Sequence, residues 1–216
     1  MRPVPTLEPT RHPERAVHDR AALDALLDRG RVAHVALVTA DGPLVLPIAY
    51  ARLGDRLLVH GSPRSHWLGL LTSGTSVCVA VTEVSGVVVG RSAPAVSLRY
   101  ASAALFGAFA PLPDEEKAPA LLAFTERHTP GGVARLRPPT DRDVARTLAL
   151  ALPIETWSLK VSNGWSYDAA DPSGDGWAGA VPLVTTWGEP LTAPGPGPQP
   201  PADPPDEIRA LVGRPA

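Results

Sequence analysis

The chain has 216 residues, 44% of them hydrophobic and 19% charged, with a formal net charge of −2. That is enough apolar material for one well-filled domain, and the balanced charge argues against the basic face that a nucleic-acid partner requires. A lone cysteine, Cys78, excludes an internal disulfide framework and a cysteine-rich zinc site. Within the apolar run SVCVAVT it reads as a small buried hydrophobe. No stretch reaches the roughly 18 apolar residues of a membrane span. The N-terminus, MRPVPTLEPTRHPER, lacks the apolar core of a signal peptide. A soluble, cytoplasmic protein without membrane contact is expected.

Residues 1–15 have turn-like prolines and charge and read as an extended arm. Asp19 can cap a helix, RAALDALLDR, that lines Ala22, Leu23, Leu26 and Leu27 on one face and stops at Gly30. Strand-like runs follow at 32–40, 44–53 and 56–61, the first two joined by an Asp41-Gly42 turn. Pro47, inside the second run, implies an edge, a bulge, or a place where something other than a strand meets the backbone. A short helix is expected over 64–73, then long strands over 76–93 and 96–112, with Gly86, Gly90 and Gly107 as bends that help curl a sheet. Pro113-Asp114 opens a helix that Pro130-Gly131-Gly132 closes, and Thr140 with Asp143 caps a further helix, DRDVARTLALAL. The last barrel strand is expected over 154–163, and WAGAVPLVTTWG (177–188) can return as a short strand. Eight of the 26 prolines fall between Pro190 and Pro205, so 189–216 reads as a proline-rich tail. The fold class is therefore mainly β with helices (α+β), a closed or split antiparallel barrel spanning 16–188 as one domain.

Chemistry is sparse. The six histidines form no pair at metal-ligand spacing, so no dedicated metal site is expected. A haem, which needs one axial histidine, is the metal option that remains, with His34, His60 or His66 as ligand. No nucleophile elbow is present, and Cys78 has no visible base. Glu115, Glu116, Asp141 and Asp143 complement helix N-termini. The stretch VLPIAYARLGDRLLVHGSPRSHW (45–67) stands out. It reads as two strands whose second opens into a helix through Ser62, Arg64, Ser65 and His66, hydroxyls and cations placed where backbone N–H groups meet an anion. An ordinary strand–helix turn accounts for the same residues.

Taken together, RHPERAVHDRAALDALLDRG, HVALV, LVLPIAYAR, LLVHGSPRS, VCVAVTEVSGVVVGRSA, the Tyr100–Gly107 segment and WAGAVPL resemble one family over residues 10–185. It is the pyridoxamine 5′-phosphate oxidase-like flavin-nucleotide-binding family, in the branch of the nitroimidazole-resistance reductases. The resemblance implies an FMN-binding split β-barrel, a homodimer with the cofactor at its interface, and flavin-mediated oxidation or reduction of a small molecule, with a reduced nicotinamide as donor. By position it implies that Pro47, Ile48, Ala49 and Tyr50 run along the flavin ring. Ser62, Arg64, Ser65 and His66 would surround the phosphate, Thr82 and Glu83 would lie near the ring or ribityl chain, and Lys160 and Trp177 would approach the partner's flavin. Where many relatives have Phe-His-His-Ser-x-Asn-Tyr, this chain has Pro94 to Tyr100, without either histidine, which makes Arg99 and Tyr100 the expected substrate contacts. His66 and Ser162 also stand where relatives carry basic residues. The alternatives are a non-catalytic flavin- or haem-binding barrel and a haem-dependent barrel enzyme.

Overall fold

Two antiparallel sheets share one core, and the chain passes between them at two buried aromatic residues, Tyr50 and Phe109. The structure is a computed structural model and describes residues 9–170, 175–194 and 203–215. The large sheet holds β1 (Ala16–Val17), β10 (Thr156–Ser162), β7 (Ser97–Ala108), β6 (Ser76–Val89), β2 (Val32–Thr39) and β3 (Gly42–Ala49) in that order, with β11 (Gly179–Pro182) also on β6. The small sheet runs β4 (Ala51–Leu53), β5 (Arg56–Gly61), β9 (Leu148–Pro153) and β8 (Ala110–Pro111). The architecture is the expected mainly β split barrel with helices.

Helix α1 (Arg20–Arg29) forms as its sequence directs. The Asp19 carboxylate accepts from the Ala21 amide at 3.0 Å, and Leu23, Leu26 and Leu27 are buried. They meet Val35, Val79, Leu57, Leu105, Leu150 and Leu152 in the main core between the sheets. A second cluster, Leu58, Leu112, Ala120, Ala149 and Ala151, fills the space under α3 (Asp114–His128). The small sheet is thus covered on both faces.

That double cover corrects one expectation. The segment DRDVARTLALAL is not a helix throughout: α4 (Asp141–Ala145) makes one turn on a Thr140–Asp143 capping box, and Leu148–Pro153 is strand β9. Leu150 and Leu152 face the main core while Ala149 and Ala151 face the second cluster. Both faces are apolar, which removes the polar alternation that marks a strand.

The run 44–53 is likewise two strands, broken at Tyr50 where the chain changes sheet, and 96–112 is broken at Phe109. The helix expected over 64–73 is shorter, α2 (His66–Leu71). Gly86 marks a register shift in the β6–β7 ladder and lets β11 approach, since a Cβ there would lie 2.7 Å from the Val181 carbonyl oxygen. Cys78 is half-buried on the outer face of the large sheet rather than in the core. Residues 1–8 of the expected arm lie outside the described residues, while Pro13–Arg15 forms a 3-10 turn leading into β1. Within 189–216, a last turn, α5 (Asp206–Arg209), precedes a return to Trp187: the Trp187 amide donates to the Arg214 carbonyl at 3.0 Å, and Gly213 donates to the Trp187 carbonyl at 2.9 Å.

Candidate functional site

Strand β5 ends at Gly61, paired with Leu148 at the start of β9. The antiparallel register therefore sets the loop after Gly61 opposite the residues before Leu148. Ser62, Pro63 and Arg64 share a cleft of about 480 Å3 with Ala145 and Arg146. The Ser62 hydroxyl accepts from the Arg64 amide at 3.2 Å, and the Ser65 amide donates to the Ser62 carbonyl at 2.9 Å, which shapes the turn. Ser65 is the N-cap of α2, and its side chain makes no capping hydrogen bond. His66 follows at the first helical position, exposed.

Among the described residues neither Arg64 nor Arg146 has a carboxylate partner, and no acidic side chain lines the cleft. Two guanidiniums, the Ser62 hydroxyl and a tight turn fit a phosphate: donors are at hand and the charge is of the right sign. Arg146 was not foreseen from the sequence. Its signal was the Leu148–Pro153 run, which as a strand beside β5 places Arg146 across from the loop.

The ring-edge residues divide. The Tyr50 amide donates to the Arg31 carbonyl at 3.4 Å, which makes that pair a hydrogen-bonded one. By alternation, Ile48 bonds toward Ala33, while the backbone groups of Val45, Pro47 and Ala49 face the free edge of the sheet. Pro47, with no N–H to present, stands at an edge as the expectation allowed. Pro47 and Ala49 are exposed; Ile48 and Tyr50 point inward. The Tyr50 hydroxyl donates to the Leu27 carbonyl at 2.7 Å, and the Tyr50 carbonyl accepts from His128 Nε2 at 2.9 Å, so its polar groups are all engaged.

Across the outer face of the large sheet, register aligns Thr82 with Ser102 and Ser102 with Lys160. The Thr82 and Ser102 hydroxyls lie 3.1 Å apart. In neighbouring rows Pro47 pairs with His34, and His34 with Ala80. Glu83 turns the other way into an ion pair with Arg29, 2.8 Å between Nη2 and Oε2. Trp177 is exposed just before β11. Arg99 donates through Nε to the Asn163 carbonyl at 3.0 Å, and its guanidinium stacks over Trp165 at 5.5 Å, so it shapes the loop after β10. Tyr100 pairs with Ser162 at the end of that strand. The structure thus places Ser62 and Arg64 in one cleft, with Ser65 and His66 next along the chain at the start of α2, and Pro47, Ala49, Thr82 and Lys160 on one sheet face, and it sets Ile48, Tyr50 and Glu83 apart from both.

Of the expected haem ligands, His34 and His66 are exposed, while His60 packs edge-on against Phe124 at 4.3 Å. Burial, and then the neighbouring His128, push the His60 imidazole below its ordinary range. Among the described residues no helix is long and apolar enough to cross a membrane.

Comparison with known proteins agrees with the split-barrel fold. The chain is similar over 92% of its length to a FAD and haem binding protein from Mycobacterium smegmatis, at 45% identity and a TM-score of 0.85, covering 98% of that protein. The flavocytochrome Anf3 from Azotobacter vinelandii is 29% identical with a TM-score of 0.82, covering 96% of this chain and 97% of that one. A candidate 5-nitroimidazole antibiotic resistance protein from Bacteroides thetaiotaomicron shares the fold at 20% identity and a TM-score of 0.58, over 68% of this chain and 86% of its own. Among curated proteins there is no match. The family model described as pyridoxamine 5′-phosphate oxidase matches residues 19–161, and the chain belongs to that family.

Proposed function

We propose that the protein is a flavin-dependent oxidoreductase that anchors the phosphate of its flavin nucleotide between the Ser62–His66 loop and Arg146. The observation that carries this reading is the pair of guanidiniums, Arg64 and Arg146, that share one cleft with Ser62 and have no carboxylate partner among the described residues. The 45% identity to a FAD and haem binding protein supports FAD as the flavin. FMN, which the sequence resemblance implies, would bring its 5′-phosphate to the same loop. A bound flavin supplies hydride and single-electron chemistry, here with a reduced nicotinamide as donor and a small molecule as acceptor. The chain's own part is to hold the phosphate, to offer the free backbone edge at Pro47 and Ala49, and to present Thr82 and Lys160 on the adjoining face. A cytoplasmic setting, where reduced nicotinamide is at hand, belongs to the same proposal.

The outer face of the large sheet carries Val32, Val38 and Val45 at 48%, 74% and 57% exposure. An apolar sheet face of this kind supports a homodimer with the cofactor at its interface. A second reading, that the chain holds haem as well as flavin, is favoured by the two near-full-length neighbours, a FAD and haem binding protein and a flavocytochrome.

Flavin titration followed by fluorescence tests the main reading. Arg64→Ala and Arg146→Ala should each weaken binding by about 1.5–3 kcal/mol, the worth of a charge-assisted contact. Unchanged affinity in both variants would overturn the assigned loop. No uptake of FAD or FMN by the unaltered protein would overturn the function.

A further inference from the structure

A cavity of about 690 Å3 lies away from the flavin loop, where the chain enters the large sheet. Its size falls in the range of cofactor pockets. Strand β1 pairs with β10 through Ala16 and Lys160, which sets the preceding Pro13–Arg15 turn beside Val161 and Ser162. From that turn His12, Arg11 and Arg15 line one side of the cavity. Val88, Leu98 and Val161 supply apolar wall, and Trp165, 69% exposed, closes another side.

The walls are built. Arg99 holds the Asn163 carbonyl and the Trp165 ring. The Asp168 carboxylate accepts from the Ser92 amide at 2.9 Å, from the Ser92 hydroxyl at 2.8 Å and from the Ser166 hydroxyl at 2.7 Å. These contacts tie the loop after β10 to the turn between β6 and β7, so the cavity does not depend on a loose segment.

His12 is set in an unusual way. Its φ of 61° is the one positive value at a non-glycine residue among the described residues, a conformation that needs a local reason to persist. Its Nδ1 meets the Glu14 carboxylate at 3.0 Å, and among the described residues no hydrogen bond reaches Nε2. A carboxylate on Nδ1 fixes the tautomer with the proton there and makes Nε2 the basic, metal-binding nitrogen. One imidazole of this kind satisfies haem iron. The rest of the lining suits the macrocycle, with apolar side chains and an indole for its faces and two guanidiniums for its carboxylates.

We propose that this cavity takes a haem, with His12 Nε2 as axial ligand, Glu14 as the residue that orients it, and Arg11 and Arg15 as the cations facing the propionates. The inference rests on the reading that the chain binds haem, and it replaces His34, His60 and His66 as the expected ligands. His34 and His66 stand on open surface, and none of the three has a carboxylate on its ring.

Haemin titration of the full-length protein, followed by absorption in the Soret region, tests it, with flavin titration of the His12 and Glu14 variants and thermal melting of the others as the folding control. The unaltered protein should give a saturable Soret band. His12→Ala should lose that band or shift it, and added imidazole should restore it. Glu14→Gln should weaken haemin binding by about tenfold or more. Flavin binding should be unchanged in both. If His12→Ala takes up haemin with the spectrum and affinity of the unaltered protein, the ligand assignment is overturned while haem binding stands. If His34→Ala, His60→Ala or His66→Ala loses the band instead, that variant names the true ligand. If the unaltered protein takes up no haemin, the haem reading itself falls. Should His12→Ala not fold, the Glu14→Gln and His12→Gln spectra decide the same question.

Discussion

Tyr50 carries more of the structure than its place in a flavin-edge motif suggests. Its hydroxyl supplies a donor to the Leu27 carbonyl in the last turn of α1, where helix carbonyls lack an intrahelical partner. The ring is fully buried. Gly30 leaves room for it, because a Cβ there would lie 2.4 Å from the Tyr50 hydroxyl oxygen and 2.8 Å from a Val81 methyl. Tyr50→Phe should cost about 1–3 kcal/mol by leaving the Leu27 carbonyl unpaired. Gly30→Ala should cost about 1–3 kcal/mol through the forced contact. Because the same hydroxyl is involved, the double variant should be less destabilised than the sum of the two. Urea denaturation of the four proteins checks this, and strict additivity would show that the Gly30–Tyr50 contact is not the cause.

At the level of elements, α3 is joined to β5 through rings: His60 lies 4.3 Å from Phe124, and Phe124 lies 4.4 Å from His128. Burial holds both imidazoles below the ordinary value of 6.5, with His128 lowering His60 further; the hydrogen bond to the Tyr50 carbonyl works partly against the shift at His128. A depressed folded value means that the unfolded chain binds the proton more readily. The stability from these rings is therefore complete above pH 6.5 and is lost as the pH falls below it toward the folded values. Melting temperature should drop from about pH 7.5 to about pH 5, and His60→Leu with His128→Gln should flatten that slope. An unchanged slope in the double variant would place the acid sensitivity elsewhere. Much at this level was legible in the sequence. Asp19, the leucine spacing and Gly30 marked α1, and the Thr140–Asp143 box is formed. What the sequence concealed was the fate of LALALP. Leucine and alanine favour helix, and only the pairing of β9 with β5 and β8 makes them strand. That concealment hid Arg146, and with it the second cation of the phosphate cleft. The proline at position 47 was readable as an edge signal, whereas the inward turn of Tyr50 depends on a change of sheet that no local pattern announces.

For the whole molecule, the proposed dimer makes the outer sheet face its interface. Val45→Glu puts a carboxylate amid that apolar surface and should convert a dimer, measured by light scattering, to monomer. Flavin affinity should fall with it if the cofactor lies between subunits. A monomeric unaltered protein would remove the interface from the proposal. The C-terminal return described above has another consequence. Trp187 is held by Gly213 and Arg214, Thr186 bridges to Pro215, and Glu207 pairs with Arg135. The Arg31 guanidinium stacks on the Trp187 ring at 4.6 Å. Trp187 is therefore held from two sides, by the Gly213–Pro215 return and by Arg31 of the main fold, so Arg31→Ala should loosen the C-terminal return as well as its own surroundings, which faster amide exchange at Gly213 would show.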